Sequence, residues 1–267
     1  MIKFKTIRSK VSKIFTETQQ MKIVVFLSSI YWFCRKYFLG VEINYPNEFL
    51  ENWNSVKKNS SLDKERNFTI YQLINFHNQI FENKETNIIE FGVSMGSSLT
   101  TICKFCKKNS KIFGIDSFGY YADEIKKYST SDFDKNYQGK DVAFNNRTRF
   151  SNFSMDQLTE NLNNITNSKK IDINLIKCHF PKIINETDLQ IISDRKYSFV
   201  YIDFDLYQST YDALKFIFPR LEKMAIILID DYNFINQEGC KIAVNEFGLN
   251  LSKTYQTQSG QLIYINT

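Results

Sequence analysis

The stretch from Tyr197 to Asp231 constrains the fold more than any other part of the chain. A first apolar, β-branched run (Phe199, Val200, Tyr201, Ile202) ends in Asp203 and Asp205. A second run, Ala225 to Ile229, ends in Asp230 and Asp231. Between them Leu214, Ile217, Phe218 and Leu221 recur at i, i+3, i+4 and i+7, so they share one helix face. Ser209 or Thr210 is a capping residue type at its start. Strands joined by a crossover helix run parallel and end at the same sheet edge. Four carboxylates are thereby gathered where open α/β sheets bind their ligands. Like charges held that close call for a counter-charge, and a bound hard divalent cation supplies one. The bland alternative is a solvated row of polar strand ends. One Asp would suit it; two pairs, each at the end of a buried-type strand, favour a site.

The alternation continues on both sides of this unit. Asn87 to Gly92 reads as a strand, Ser97 to Lys107 as a helix, and Lys111 to Ile115 as a strand ending at Asp116. Ser154 to Leu162 reads as a helix, Ile173 to Ile176 as a strand, and Pro181 to Ile192 contains a helical segment. Ala243 to Phe247 reads as helix and Gln261 to Ile265 as a closing strand. A helix from Asp63 to Glu82 precedes them, with His77 on it as a packing or surface residue. The expectation is one doubly wound α/β domain over 63–267. Residues 119–150 are polar and long for a plain connection, which suggests a lid.

Residues 1–62 read as a basic, helical extension. Lys3, Lys5, Arg8, Lys10 and Lys13 precede an apolar run from Ile23 to Cys34. That run is too short to span a bilayer and lacks the flanks of a signal peptide. The segment 23–39 either docks on the domain or a second copy of the chain, or lies in a membrane interface. Residues 41–62 read as a connection, with Pro46 as a breaker.

Composition excludes several classes. Hydrophobic residues make up 43% and charged residues 24%, as in globular proteins. A net charge of +5, with acids and bases interspersed, does not indicate a nucleic-acid partner. The cysteines (Cys34, Cys103, Cys106, Cys178, Cys240) are odd in number and scattered, so neither a disulfide framework nor a zinc site is expected. A reducing cytoplasm fits, with peripheral contact at the inner membrane face for the extension.

The cofactor site is expected at the first strand, Ile88-Ile89-Glu90-Phe91-Gly92-Val93-Ser94-Met95-Gly96-Ser97. Gly92 and Gly96 permit a tight turn and close approach of a ligand, ahead of a helix N-terminus. Asp116, with Ser117 beside it, ends the second strand about twenty residues on, placed to accept from a ribose diol. The turn is G-x-x-x-G rather than G-x-G-x-x-G, and Glu90 would repel a diphosphate. S-adenosylmethionine, which carries a sulfonium and an amino group, suits these residues better than a dinucleotide. The same residues fit G-x-S-x-G, a hydrolase nucleophile turn. However, His179, the sole downstream histidine, precedes the last strands, against the usual chain order.

IIEFGVSMGSS, FGIDSFGY, LIKCHF and FVYIDFDLYQSTYDALKFIFPRL resemble the macrocin O-methyltransferase (TylF-like) family. So do ILIDDYN, GCKIAVNEF and SGQLIYI, and the similarity keeps its order over roughly residues 65–267. The resemblance implies a Rossmann-like class I methyltransferase fold and S-adenosylmethionine- and Mg²⁺-dependent methylation of sugar hydroxyls. It implies Asp203, Asp230 and Asp231 as metal ligands, Asp205 as general base, and Glu90, Gly92 and Asp116 in the cofactor site. Glu222-Lys223-Met224-Ala225 replaces a Gly-Gly turn usual in the family, and Cys178 replaces a glycine. The acceptor is expected to be a small molecule or glycan. A phenolic acceptor and a non-catalytic scaffold of the same fold are the alternatives.

Overall fold

β1 (Asn87–Phe91), β2 (Lys111–Asp116), β3 (Asp172–Lys177), β4 (Tyr197–Ile202) and β5 (Leu221–Ile229) pair in parallel. β7 (Leu262–Ile265) runs antiparallel to β5 and to β6 (Thr254–Gln256), which gives a seven-stranded sheet of order 3-2-1-4-5-7-6. These come from a computed structural model that describes residues 43–60, 62–118, 154–233 and 238–267. The expected lid 119–150 and the segment 23–39 lie outside the described residues. The chain divides after Pro46, and Asn47–Thr267 forms one compact unit.

A parallel sheet is covered on both faces, so its strands are continuous apolar runs whose alternate residues enter different cores. Ile88, Ile112, Phe199, Tyr201, Ile226 and Leu228 enter one core; Ile89, Phe91, Phe113, Val200, Ile202, Ile227 and Ile229 enter the other. On the first face lie α2 (Lys64–Ile80), α3 (Ser97–Phe105) and α4 (Met155–Lys169), through residues such as Ile70, Ile74, Leu99 and Leu158. On the second lie α5 (Glu186–Ser193), α6 (Tyr207–Ile217) and α7 (Glu238–Phe247), through Ile192, Leu214, Ile217 and Val244. The sequence reading of a doubly wound domain is the observed architecture.

Three details differ from that reading. Residues 41–62, read as a connection, contain helix α1 (Asn47–Val56), which buries Phe49, Asn52 and Val56. Its inward face carries an asparagine, so apolar periodicity is broken. Asn52 instead donates from Nδ2 to Thr101 Oγ1 of α3 (2.8 Å). β6 adds an unforeseen three-residue edge strand. Finally, the segment 222–225 is not a turn before β5 but part of it. Met224 stands there at φ +67, next to a register shift against β4.

His77 is fully buried, not on the surface. Its Nε2 lies 2.8 Å from Ser198 Oγ, and burial lowers its pKa to about 4. It is therefore the packing histidine of the two options. Cys103, Cys106, Cys178 and Cys240 are free and buried, and burial raises each thiol pKa.

Candidate active site

Strand order reverses between β1 and β4, and the carboxyl ends of those strands flank the crevice where ligands of such sheets bind. Backbone bonds extend the ladder past the strand ends: Gly92 N–H to Ile115 O (2.8 Å), Asp203 N–H to Phe91 O (2.7 Å) and Asp230 N–H to Ile202 O (2.9 Å). The aspartates are thus fixed at the sheet edge by main-chain pairing.

Asp203, Asp205 and Asp231 each present a carboxylate oxygen, and the three oxygens lie within 4.8 Å of one another. Tyr201 Oη donates to Asp203 Oδ2 (3.4 Å). Loss of solvent, and then the charges of Asp230 and Asp231, hold Asp203 well above the usual carboxylate range. Burial and the charge of Asp205 do the same to Asp231. Burial lifts Asp205 to about 6, while a hydrogen bond with Asp231 works against the rise. A cation bound between such carboxylates competes with protons for their oxygens. Asp205 adopts φ +60, a left-handed conformation that non-glycine residues hold at a cost, often at functional sites.

Asp230 is placed differently. It continues the parity of Ile226 and Leu228, so it falls on the face covered by α2. There Arg66 Nη1 donates to Asp230 Oδ2 (2.5 Å) and to Asp231 Oδ1 (3.2 Å). Gln261 Nε2 donates to Asp230 Oδ1 (2.6 Å). Burial alone would lower the Arg66 pKa, but Asp230 and Asp231 reverse this and leave it raised. Sequence reasoning missed both residues. The available signal was a lone arginine one turn after a helix-capping aspartate: Asp63 Oδ1 accepts from Arg66 N–H (2.8 Å) and fixes the turn that delivers the guanidinium.

Hard oxygen donors in this number suit Mg²⁺. Asp231 Oδ2 is also buried without a hydrogen-bond partner, an atom that a cation would satisfy. The residues fit the ion.

The residues expected at the cofactor lie across the crevice. Asp116 Oδ2 accepts from Ser94 N–H (2.8 Å), and its Oδ1 from Phe118 N–H (2.7 Å) and Ser117 Oγ (3.5 Å). Ser94 holds φ +51, and its Oγ is buried without a partner among the described residues, none of which supplies the base that a hydrolase nucleophile would require. Ser97 Oγ accepts from Ser60 Oγ (2.9 Å), and Val93 packs in the core. Glu90 is fully buried. Its Oε1 accepts from Ser98 Oγ, its Oε2 has no partner, and burial raises its pKa well above normal. The orphaned Ser94 Oγ and Glu90 Oε2 fit a cofactor with a polar, cationic portion.

The glycines also have a reason within the protein itself. A Cβ on Gly92 (φ +91) would stand 2.0 Å from the Asp203 carbonyl oxygen. On Gly96 (φ +80) it would stand 2.2 Å from Leu158 Cδ1. They allow protein to approach protein, and Gly92 in particular lets the first strand's turn lie against the metal-side loop.

This sheet order, with its reversed seventh strand and a glycine turn facing acidic strand tips across the switch point, defines a class I methyltransferase fold. Residues 89–232, more than half of the chain, match the family described as "Methyltransferase domain", and the chain belongs to that family. It is a methyltransferase. No curated protein matches it. Among solved structures it is similar to the O-methyltransferase NovP (TM-score 0.55, 18% identity, covering 78% of this chain and 82% of that one). It is also similar to CalS11, a calicheamicin methyltransferase (TM-score 0.50, 16% identity, covering 85% and 95%). At these identities the likeness establishes the fold. Among the described residues no helix is long and apolar enough to cross a membrane.

Proposed function

We propose that the protein is an S-adenosylmethionine- and Mg²⁺-dependent O-methyltransferase of the TylF-like kind, acting on a sugar hydroxyl of a glycan or glycosylated metabolite. The observation that carries this reading is the gathering of Asp203, Asp205 and Asp231 around one point, with Asp230 beside them, opposite the Gly92–Gly96 turn and Asp116. NovP is named an O-methyltransferase and CalS11 a calicheamicin methyltransferase, which agrees with methyl transfer to oxygen on a small molecule.

Asp116 and Glu90, with the backbone of Gly92, Val93, Ser94, Gly96 and Ser97 and the Ser117 hydroxyl, would hold the cofactor. When bound, it supplies an electrophilic methyl group on sulfur. Asp203, Asp230 and Asp231 would hold Mg²⁺, which lowers the pKa of a coordinated hydroxyl and orients it. Asp205, in the same cluster, takes the hydroxyl proton as the C–O bond forms and the S–CH₃ bond breaks. The pairing of β1 with β4 fixes the cofactor turn and the aspartates relative to each other, which is the positioning that in-line displacement needs.

The test is calorimetric titration with S-adenosylmethionine, with and without Mg²⁺, on wild type and Asp203→Ala, followed by methyl transfer to nucleotide-sugar acceptors. Wild type should bind the cofactor at micromolar strength. Asp203→Ala should lose turnover and cation binding but retain the cofactor. Loss of cofactor binding with the cation retained would overturn the assignment.

A further inference from the structure

We infer that Arg66 and Gln261 are positioning residues for the Asp230–Asp231 carboxylate pair, and that they set its affinity for a divalent cation. The inference rests on the Mg²⁺ reading above. Both residues lie outside the matched segment 89–232, one reaching back from α2 and the other from the β6–β7 turn.

The geometry is that of a clamp. Asp230 is fully buried, its backbone N–H is held by Ile202 O, and each carboxylate oxygen carries one donor, Arg66 Nη1 on Oδ2 and Gln261 Nε2 on Oδ1. Every carboxylate oxygen has two lone pairs, so one remains on each for an ion while the carboxylate plane is locked. Arg66 Nη1 also reaches Asp231 Oδ1, which fixes the spacing of the two aspartates.

The donors are themselves held. Arg66 is buried on a helix whose first turn is capped by Asp63. Gln261 is fully buried, with N–H to Thr257 Oγ1 (3.0 Å) and Oε1 accepting from Ser259 Oγ (3.2 Å). Its turn closes through Gly260 at φ +92, and Asn233 N–H donates to Gly260 O (2.9 Å) just beyond the aspartate pair. Groups that orient metal ligands in this way commonly govern affinity as strongly as geometry allows, by about 10- to 100-fold.

Arg66 also neutralises charge, and the two roles predict different outcomes. Arg66→Lys keeps the charge but not the two-way bond. Gln261→Met removes a neutral donor at nearly constant volume. The measurement is Mn²⁺ and Mg²⁺ affinity of the full chain by calorimetry, with cofactor affinity and thermal midpoint recorded alongside. Positioning predicts about 10- to 100-fold weaker cation binding in each folded variant, with cofactor affinity unchanged. A merely structural role would lower the midpoint and leave cation affinity where it was. Folded variants with wild-type or tighter cation binding overturn the inference. Wild type that binds neither ion overturns the Mg²⁺ reading and this inference together. If Arg66→Lys does not fold, Gln261→Met decides alone.

Discussion

Gly92 shows how much one residue can carry. Any Cβ there meets the Asp203 main-chain oxygen at 2.0 Å, and main chain held in a sheet ladder cannot swing aside as a flexible side chain would. The positive φ adds strain for any L side chain. Gly92→Ala should therefore cost roughly 3 kcal/mol or more, measured by urea unfolding, and should weaken cation binding through displacement of Asp203. A midpoint within error of wild type would contradict the contact. The sequence marked Gly92, Asp203, Asp205, Asp230 and Asp231 because chemistry-bearing residues at strand tips form a local pattern. The contact of Gly92 with Asp203 was not legible, since no local pattern shows a segment about 110 residues away closing on it. Arg66 and Gln261 escaped for the same reason: their partner Asp230 is 164 and 31 residues distant, and neither sits in a motif.

At the scale of elements, legibility followed periodicity. β4 and β5 were read because their apolar runs are buried on both faces. α1 was missed because its core-facing residues include Asn52, satisfied by a threonine on another helix. Helix ends give a prediction of their own. α4 starts with a capping box, Ser154 with Gln157, and ends with Lys170 at φ +55. Ile171 N–H there donates to Thr166 O (3.0 Å), the wrapped ending that usually places glycine in the left-handed position. Lys170 is exposed, so its replacement loses no packing. Lys170→Gly should stabilise the protein by about 1 kcal/mol, a rise of roughly 2–4 °C in thermal midpoint, without altering cofactor binding. An unchanged or lower midpoint would show that the left-handed cap carries no strain.

For the whole molecule, the buried ionisable groups divide the pH axis. His77 titrates near 4 in the fold against 6.5 when free, so the unfolded chain binds more protons between these values and stability rises with pH there. Asp205 has the opposite sign. Raised from 3.8 to about 6, it favours the fold at low pH and loses that contribution as pH climbs through 6. The two slopes oppose each other between about 4 and 6. Above 6.5 His77 is neutral in both states, while Asp203 and Asp231, held well above the usual carboxylate range by burial and by neighbouring aspartates, share the sign of Asp205. Once His77 is neutral in both states, rising pH should therefore only lower the stability of the cation-free protein. A cation competes with protons for those oxygens, so its binding strengthens as they leave. Saturating Mg²⁺ should thus raise the thermal midpoint by several degrees more at pH 8 than at pH 5.5, against matched samples in chelator. In Asp203→Ala the pH dependence of that increment should shrink. An equal Mg²⁺ increment at both pH values in wild type would mean that the ion does not reach the carboxylates. The cluster would then be stabilised by Arg66 and shared protons alone.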